Sequence, residues 1–215
     1  MKLKAVLFDL DGTLRDTREL IYSSVEHTLG KLNVPVPSRT ELDPYIHHHS
    51  VVHGQFAPHV TLDDFEQIYN AKVRPMIPYV QLYEGAAEVL QRLHDDGYKT
   101  AVVTASYTAP DDIPQYGIAD FIDVVVSARD IAKHKPDPES TKLALERLGV
   151  KPEQAVLVGD MATDVRAANA AGIRLTIGLT HGLGTRESLE AEGTSYIIDS
   201  LSELPDVLAV IEQNR

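Results

Sequence analysis

The chain has no cysteine among its 215 residues, which excludes disulfide bonds, thiolate zinc sites and cysteine nucleophiles. Basic residues are also few. Only 20 Lys and Arg stand against 32 Asp and Glu, and the formal net charge is −12. Proteins that bind nucleic acid or an anionic membrane usually present a basic surface, so we expect neither as a partner.

Long apolar runs are absent as well. No segment approaches the roughly 20 apolar residues of a membrane-spanning helix, and the first predicted strand begins too soon after Met1 for a signal peptide. We therefore expect a cytoplasmic protein. With 43% hydrophobic residues, a chain of this length can bury one sizeable core, or a core and a smaller unit.

The first apolar run, Val6–Phe8, leads directly into Asp9-Leu10-Asp11-Gly12-Thr13. Because side chains two residues apart share a face of a strand, Asp9 and Asp11 are expected to lie near one another. Gly12 permits a sharp turn directly afterwards. One carboxylate can then attack while the other moves a proton. An ordinary strand followed by an acidic turn explains this segment equally well when it is taken alone.

After about residue 85, short β-branched runs alternate with helical patterns. The predicted strands are Thr100–Val103, Val124–Val126, Ala155–Val158, Leu175–Ile177 and Tyr196–Ile198, and the predicted helices are Glu84–His94, Glu139–Leu148 and Leu204–Glu212. This alternation is typical of a parallel sheet with crossover helices. We predict an α/β fold with a doubly wound, Rossmann-like parallel sheet as its core.

Residues of about 15 to 80 differ, because strand signals are weak there. Leu20–Leu32 and Leu62–Val73 have the pattern of amphipathic helices. We predict a small, all-helical cap domain inserted after the first strand. In this interpretation residues 1–14 and 82–215 form the core, and residues 15–81 form the cap.

Two polar segments follow predicted strands or precede helices. The strand that ends at Val103 continues into Thr104 and Ala105, where a hydroxyl and free amides suit a phosphate oxygen. A threonine at that place also commonly ends a strand or caps a helix. Lys135 is followed by Pro136, which stiffens the backbone and holds the ammonium in place as a point charge. A solvated lysine before a helix is the alternative.

A third segment places acid at the end of a buried strand. Asp160 follows Gly159, and Asp164 stands four residues later, where the next helix begins. Carboxylate oxygens are the hard ligands that Mg²⁺ prefers. Asp164 could instead be an acidic residue at a helix N-terminus, where the helix dipole favours negative charge.

All these positions fall at the carboxyl ends of strands or in loops on that side, where open α/β sheets bind ligands. Several aspartates brought together repel one another, so a divalent cation is the simplest way to keep Asp9, Asp11 and Asp160 ionised. A metal, a lysine and a threonine together suit a phosphoryl group. The sequence therefore predicts a Mg²⁺-dependent phosphoryl site.

The order Asp-x-Asp-Gly-Thr, Thr104, Lys135-Pro136 and Gly-Asp-x-x-x-Asp resembles the haloacid dehalogenase-like hydrolase superfamily. The resemblance covers nearly the whole chain outside the cap. The opening Leu14-Arg15-Asp16-Thr17 and the helical cap are similar to the phosphoglycolate phosphatase and pyrophosphatase branch. The resemblance implies that Asp9 is the nucleophile that forms an aspartyl-phosphate and Asp11 the general acid and base. It also implies that Asp9, the Asp11 carbonyl and Asp160 bind Mg²⁺.

The same resemblance implies that Thr104 and Lys135 hold phosphate oxygens, and the free amides at the strand end add Ala105 to the predicted phosphate site. Asp164 would support the metal-bound waters or Lys135 from behind. The implied activity is hydrolysis of a small phosphorylated substrate, either a monoester similar to phosphoglycolate or pyrophosphate. The resemblance is compatible with a monomer or a homodimer.

Consecutive histidines in the predicted cap, with His53 beyond them, have three interpretations. Surface exposure is the commonest explanation. His49 and His53 have the i, i+4 spacing that could chelate a metal on a helix. The third interpretation is that His48 and His49 recognise the part of the substrate that is not phosphate.

Other functions use related sites. A phosphomutase acting on a sugar phosphate has the same core, and it remains the main alternative. Dehalogenation is less favoured, because Asp11 and Asp160 indicate a metal-dependent phosphoryl site. A signalling receiver also combines an acceptor aspartate with acidic residues, but its acidic pair lies apart from the acceptor. A noncatalytic binding protein on this scaffold is the last alternative, although every chemical position is filled.

Overall fold

The computed structural model describes residues 2–214. The chain divides into two compact units, a core unit formed by the residues up to Asp16 with those from Gln81 onward, and a helical unit, Thr17–Val80. The boundaries expected from sequence lay at residues 15 and 81. Asp16 and Gln81 fall in the core unit, and the Asp16 amide donates a hydrogen bond to the Gln81 carbonyl (2.9 Å).

The core unit contains one sheet of six parallel strands. The strands are β1 Ala5–Phe8, β2 Lys99–Val103, β3 Val124–Val126, β4 Ala155–Gly159, β5 Thr176–Leu179 and β6 Tyr196–Ile198. Their order across the sheet is β3-β2-β1-β4-β5-β6, and every neighbouring pair is parallel. This topology confirms the predicted doubly wound, Rossmann-like sheet.

Ten α-helices accompany the sheet in the described residues. In the helical unit they are α1 Arg18–Lys31, α2 Arg39–Leu42, α3 His49–Phe56 and α4 Leu62–Val73; in the core unit they are α5 Ala86–Asp95, α6 Ala109–Asp112, α7 Glu139–Leu148, α8 Ala162–Ala170, α9 Arg186–Ala191 and α10 Leu204–Gln213. Short 3₁₀ turns lie at Ile77–Tyr79, Ile113–Tyr116, Ala119–Phe121, Pro152–Gln154 and Leu201–Glu203. No helix within residues 2–214 is long and apolar enough to cross a membrane.

Strand β1 is buried on both of its faces, which is why it is apolar at every position. Val6 and Phe8 pack into one apolar cluster with residues of α5 and α10. Ala5 and Leu7 pack into a second cluster with residues of α7 and α8. The sheet is thus a layer between two sets of helices, and its strand ends remain as the edges on which polar residues can gather.

The helical unit, described throughout residues 17–80, consists of helices and turns without a strand. Buried Tyr22, Val25 and Leu29 of α1 and Phe65 of α4 supply apolar side chains to its interior. Thr61 caps α4 by accepting a hydrogen bond from the Asp64 amide (3.2 Å). The polar residue before this helical pattern thus fixes where the helix begins.

Strands β1 and β4 are neighbours in register, with Phe8 opposite Val158. From β1 the chain builds the sheet toward β3 on one side, and β4 then continues it on the other side. The carboxyl ends of β1 and β4 therefore meet at the switch point, where a doubly wound sheet opens a crevice for ligands. The residues that follow these two strands are Asp9 and, after Gly159, Asp160.

Candidate active site

Three aspartates meet at the switch point. Asp9 follows β1, Asp160 follows β4, and Asp164 lies in the first turn of α8. One carboxylate oxygen from each lies within 4.8 Å of the others. Asp9 is 8% exposed, Asp160 is 0% and Asp164 is 2%. Carboxylates buried this deeply need compensation by a cation or by hydrogen bonds.

Lys135 supplies part of that compensation. Its ammonium lies 2.5 Å from an oxygen of Asp9 and 2.5 Å from an oxygen of Asp164. It also donates a hydrogen bond to the carbonyl of Val103 (3.1 Å), the last residue of β2. The three donor positions of an ammonium are thereby matched by three acceptors. Lys135 thus links the ends of β1 and β2 to the start of α8.

The pKa values show how unevenly the charges are balanced. Burial raises the pKa of Asp9 well above its ordinary value; Lys135 opposes this shift, while Asp164 and Asp160 add to it. Burial and the nearby Asp164 raise the pKa of Asp160 to about 7. Burial would lower the pKa of Lys135, but the carboxylates of Asp164 and Asp9 raise it above its usual range. One ammonium is too little positive charge for three carboxylates.

Hydrogen bonds fix the Asp160 carboxylate from two directions. The hydroxyl of Thr13 donates to one oxygen (2.7 Å), and the amide of Leu183 donates to the other (2.7 Å). Asp164 is fixed in a similar way, because its second oxygen accepts the amide of Met161 (3.0 Å) at the start of α8. Both carboxylates are therefore held in one orientation by groups of the protein itself.

Two glycines make room for Asp160. Gly12 has a φ of +91°, and a methyl group at this position would collide with the Asp160 carboxylate. A methyl group at Gly182, in the loop after β5, would collide with the same carboxylate and with the carbonyl of Gly12. Both loops therefore approach Asp160 more closely than any residue with a side chain would allow.

Asp11 and the residues after β2 complete the edge. The Asp11 carboxylate accepts hydrogen bonds from Nε of Arg15 (2.8 Å) and from its Nη2 (3.2 Å). Thr104 is buried, and its hydroxyl oxygen accepts the amide of Ser106 (3.0 Å). Ala105, between them, is half-buried. Since Lys135 bonds to Val103, the turn that begins at Thr104 lies directly beside the lysine.

Sequence reasoning assigned no role to several residues that shape this edge. They are Thr13, Arg15, Gly182 and Leu183. The sequence signal for the last two is the run His181-Gly182-Leu183-Gly184, which begins four residues after the end of the predicted strand Leu175–Ile177. Two glycines in such a loop indicate close backbone approach.

The histidines predicted to influence substrate choice lie in the helical unit. His48 caps α3, and its Nδ1 lies 2.6 Å from the hydroxyl of Ser50. Nε2 of His49 lies 2.9 Å from Oε1 of Glu66, and Nε2 of His53 lies 2.8 Å from the carbonyl of Val60. His49 and His53 thus point these ring nitrogens at different partners.

Among residues 2–214, one group of three or more His, Cys, Asp or Glu side chains is close enough to hold a metal ion. It is the group of Asp9, Asp160 and Asp164. Its donors are all carboxylate oxygens, which suit a hard divalent cation such as Mg²⁺ rather than a soft metal. The excess of negative charge over Lys135 fits the same cation.

Replacement of Gly182 by alanine tests how closely the loop after β5 packs on Asp160. The added methyl group meets the carboxylate, and such overpacking costs roughly 1–3 kcal/mol. We expect the melting temperature of Gly182→Ala to fall by roughly 2–10 °C, measured by circular dichroism. Gly30→Ala is the control, because nothing lies within 4 Å of its added methyl group in α1 and alanine favours a helix. Equal melting of Gly182→Ala and the unchanged protein would contradict this packing.

Comparison with known proteins agrees with this geometry. The chain is 35% identical over 225 residues to pyrophosphatase PpaX of Bacillus mycoides. This alignment covers 98% of this chain and 99% of that protein. It is 30% identical to pyrophosphatase PpaX of Halalkalibacterium halodurans, over 98% of this chain and 99% of that protein.

Solved structures share the fold. The crystal structure of a predicted phosphatase from Clostridium acetobutylicum matches with a TM-score of 0.84 and 25% identity, covering 97% of this chain and 99% of that one. CbbY from Rhodobacter sphaeroides, in complex with phosphate, matches with a TM-score of 0.79 and 26% identity, covering 94% and 96%. The family model described as haloacid dehalogenase-like hydrolase matches residues 6–177. The chain therefore belongs to the haloacid dehalogenase-like hydrolase family.

Proposed function

We propose that this hydrolase is a Mg²⁺-dependent phosphatase that cleaves a small phosphate monoester or pyrophosphate through an aspartyl-phosphate formed on Asp9. The observation that carries the proposal is the buried group of Asp9, Asp160 and Asp164 around the ammonium of Lys135. This arrangement offers a carboxylate nucleophile, a fixed positive charge and an all-oxygen metal site at one sheet edge. Family membership supports the same reaction class.

Asp9 and Asp160 would hold the Mg²⁺, together with the backbone carbonyl of Asp11. When bound, the cation supplies positive charge that keeps the carboxylates ionised and draws a phosphate to the site. The raised pKa values of Asp9 and Asp160 support this role, because burial and the neighbouring carboxylates disfavour the ionised forms and Lys135 offsets this only in part. Asp164 orients Lys135 with one oxygen and the start of α8 with the other.

Lys135 and the turn after β2 would bind the phosphate. The ammonium already lies against Asp9, so a phosphate oxygen that takes over one of its three donor positions has its phosphorus close to the attacking carboxylate. The hydroxyl of Thr104 accepts the Ser106 amide and retains its own proton to donate to a phosphate oxygen. Ala105 contributes its backbone amide in the same turn. Fixed donors of this kind are the main source of catalysis in phosphoryl transfer.

In the first step an oxygen of Asp9 attacks phosphorus, and the bond from phosphorus to the leaving oxygen breaks. Asp11 donates a proton to that leaving oxygen, which departs as an alcohol or, from pyrophosphate, as phosphate. Asp11 stands two residues from Asp9 and, at 22% side-chain exposure, is more open than the acids that surround the metal site. This position suits proton exchange with substrate and water.

In the second step a water molecule attacks the phosphorus of the aspartyl-phosphate. Asp11, now ionised, takes a proton from that water while the bond from phosphorus to the Asp9 oxygen breaks. Inorganic phosphate leaves, Asp9 is restored as a carboxylate, and Asp11 is restored as an acid. The two carboxyl groups thus keep separate roles through the whole cycle.

Pyrophosphate is the first substrate to test, because relatives at least 30% identical over nearly the whole chain are named pyrophosphatases. Small monoesters such as phosphoglycolate come next. Release of inorganic phosphate separates hydrolysis from a phosphomutase reaction, which leaves the phosphate content of the product unchanged.

Asp9→Asn removes the nucleophile while keeping the size of the side chain. We expect turnover of every substrate to fall to background, because an amide cannot form the phosphorylated intermediate. Phosphate release in a continuous assay measures the loss. The exposed Asp120→Asn is the matched control and keeps full activity. If Asp9→Asn retained most of the activity, this mechanism would be wrong.

Asp160→Asn tests the metal site without an activity measurement. At about 100 times its dissociation constant, a ligand adds about 2.7 kcal/mol to stability. For a chain of this size, Mg²⁺ should therefore raise the melting temperature by roughly 5–10 °C, and EDTA should reverse the rise. We expect Asp160→Asn to lose this response and Asp120→Asn to keep it. An unchanged Mg²⁺ response in Asp160→Asn would exclude Asp160 as a ligand.

His48 and His49 carry the remaining prediction about substrate choice. If these side chains recognise the part of the substrate outside the phosphate, the double change His48→Ala with His49→Ala alters the ranking of substrates. The measurement is kcat/KM across pyrophosphate and a series of small monoesters. His59→Ala, outside the consecutive histidines, is the control. An unchanged ranking would remove these residues from the specificity determinants.

A further inference from the structure

Arg15 is a charged side chain with almost no contact with solvent. It is 1% exposed, although arginine is rarely buried to this degree unless it is paired. It follows the Asp-x-Asp-Gly-Thr segment and lies in the core unit, four residues after Asp11. The reaction described above gives it no role.

The guanidinium of Arg15 forms a bidentate contact with the Asp11 carboxylate. Nε donates to one carboxylate oxygen (2.8 Å), and Nη2 donates to the other (3.2 Å). A tight backbone turn brings Arg15 next to Asp11. In this turn the Gly12 amide donates to the Arg15 carbonyl and the Arg15 amide donates to the Leu10 carbonyl, both at 2.9 Å. A two-point contact fixes the plane of the carboxylate as well as its position.

The other side of the guanidinium is anchored to the segment after β2. Nη1 donates to Asp112 (3.2 Å), and Nη2 also contacts the hydroxyl of Ser106 (3.3 Å). Asp112 is held in turn by the hydroxyl of Thr108 (2.7 Å). This segment begins at Thr104, the residue proposed to bind phosphate. Arg15 thus joins the carboxylate of Asp11 to the turn that would hold the phosphate.

The grip leaves Asp11 able to react. A carboxylate has about four lone-pair positions, two on each oxygen, and Arg15 occupies one on each. The Asp11 side chain is 22% exposed, whereas Arg15 is 1% exposed. The guanidinium therefore lies on the buried side of the carboxylate, and the remaining lone pairs are accessible to a ligand.

We infer that Arg15 is a positioning residue for Asp11. It fixes the carboxyl group that acts as acid and base relative to the turn proposed to bind phosphate. The inference rests on the proposed function, in which Asp11 protonates the leaving oxygen. Lysine cannot replace it fully, since an ammonium is a point charge and does not span both carboxylate oxygens in a fixed plane. Misplacement of a reacting group by about 1 Å can cost about 100-fold in rate.

The test compares substrates that differ in their need for an acid. An alkyl phosphate such as glycerol phosphate releases a basic oxygen and depends on proton donation, whereas p-nitrophenyl phosphate releases a stable anion and hardly does. The variants are Arg15→Met, Arg15→Lys and Asp11→Asn. Arg92→Met is the matched control, because Arg92 is 60% exposed in its side chain and lies in α5. The readout is kcat/KM for each substrate with Mg²⁺ present.

For Asp11→Asn we expect a far larger loss with the alkyl substrate than with the aryl one. Arg15→Met should show the same pattern, with a loss of roughly 10- to 100-fold for glycerol phosphate and less than about 3-fold for p-nitrophenyl phosphate. Arg15→Lys should restore part of the alkyl activity, and Arg92→Met should match the unchanged protein. This dependence on the leaving group is not expected from a loss of folded protein, which lowers both activities equally.

Equal losses of Arg15→Met on both substrates, or no loss on either, would overturn the inference. Melting curves identify a variant that fails to fold. If Arg15→Met does not fold, Arg15→Lys decides, and an alkyl-to-aryl ratio equal to that of the unchanged protein counts against the inference. If Asp11→Asn itself shows no dependence on the leaving group, the acid role proposed for Asp11 has failed, which is a different result from failure at Arg15 alone.

Discussion

Buried negative charge at the ends of β1 and β4 is the constraint on which the rest of this site depends. Asp9, Asp160 and Asp164 lie within reach of one cation, and one ammonium faces them. Such an arrangement costs stability unless charge and hydrogen bonds balance it. The same imbalance supports the proposed binding of a divalent cation and a phosphate. The buried carboxylates thus lower the stability of the fold at the place where the proposed ligands would bind.

Uncharged parts of the fold help to stabilise the buried carboxylates. Parallel pairing of β1 with β4 puts Asp9 and Asp160 side by side, and the apolar faces of β1 fasten the strand between two helical layers. Backbone amides and a hydroxyl then orient the carboxylates of Asp160 and Asp164. Glycines on two loops let the backbone come close enough to do so. The positions of the carboxylates at this edge of the sheet therefore depend on packing and on the loop glycines as much as on the aspartates themselves.

Two layers of support surround the proposed chemistry. Lys135 bonds to both Asp9 and Asp164, while Arg15, which is itself bonded to Asp112 and Ser106, holds Asp11. Lys135 reaches the last residue of β2, Val103, and Arg15 reaches Ser106 in the segment that follows β2. The turn proposed to bind phosphate thus lies next to contacts made by both Lys135 and Arg15.

The sequence by itself determined the sheet, the order of its elements and the acidic, basic and hydroxyl residues that gather at one edge, because those depend on periodicity and on where strands end. It also marked residues of about 15 to 80 as helical. The grip of Arg15 on Asp11, the amide of Leu183 on Asp160 and the fit of Gly182 were decided only by the tertiary structure. The contacts of Leu183 and Gly182 join loops that are far apart in the sequence, and Arg15 depends on partners in the segment after β2, so no local pattern of residues encodes them.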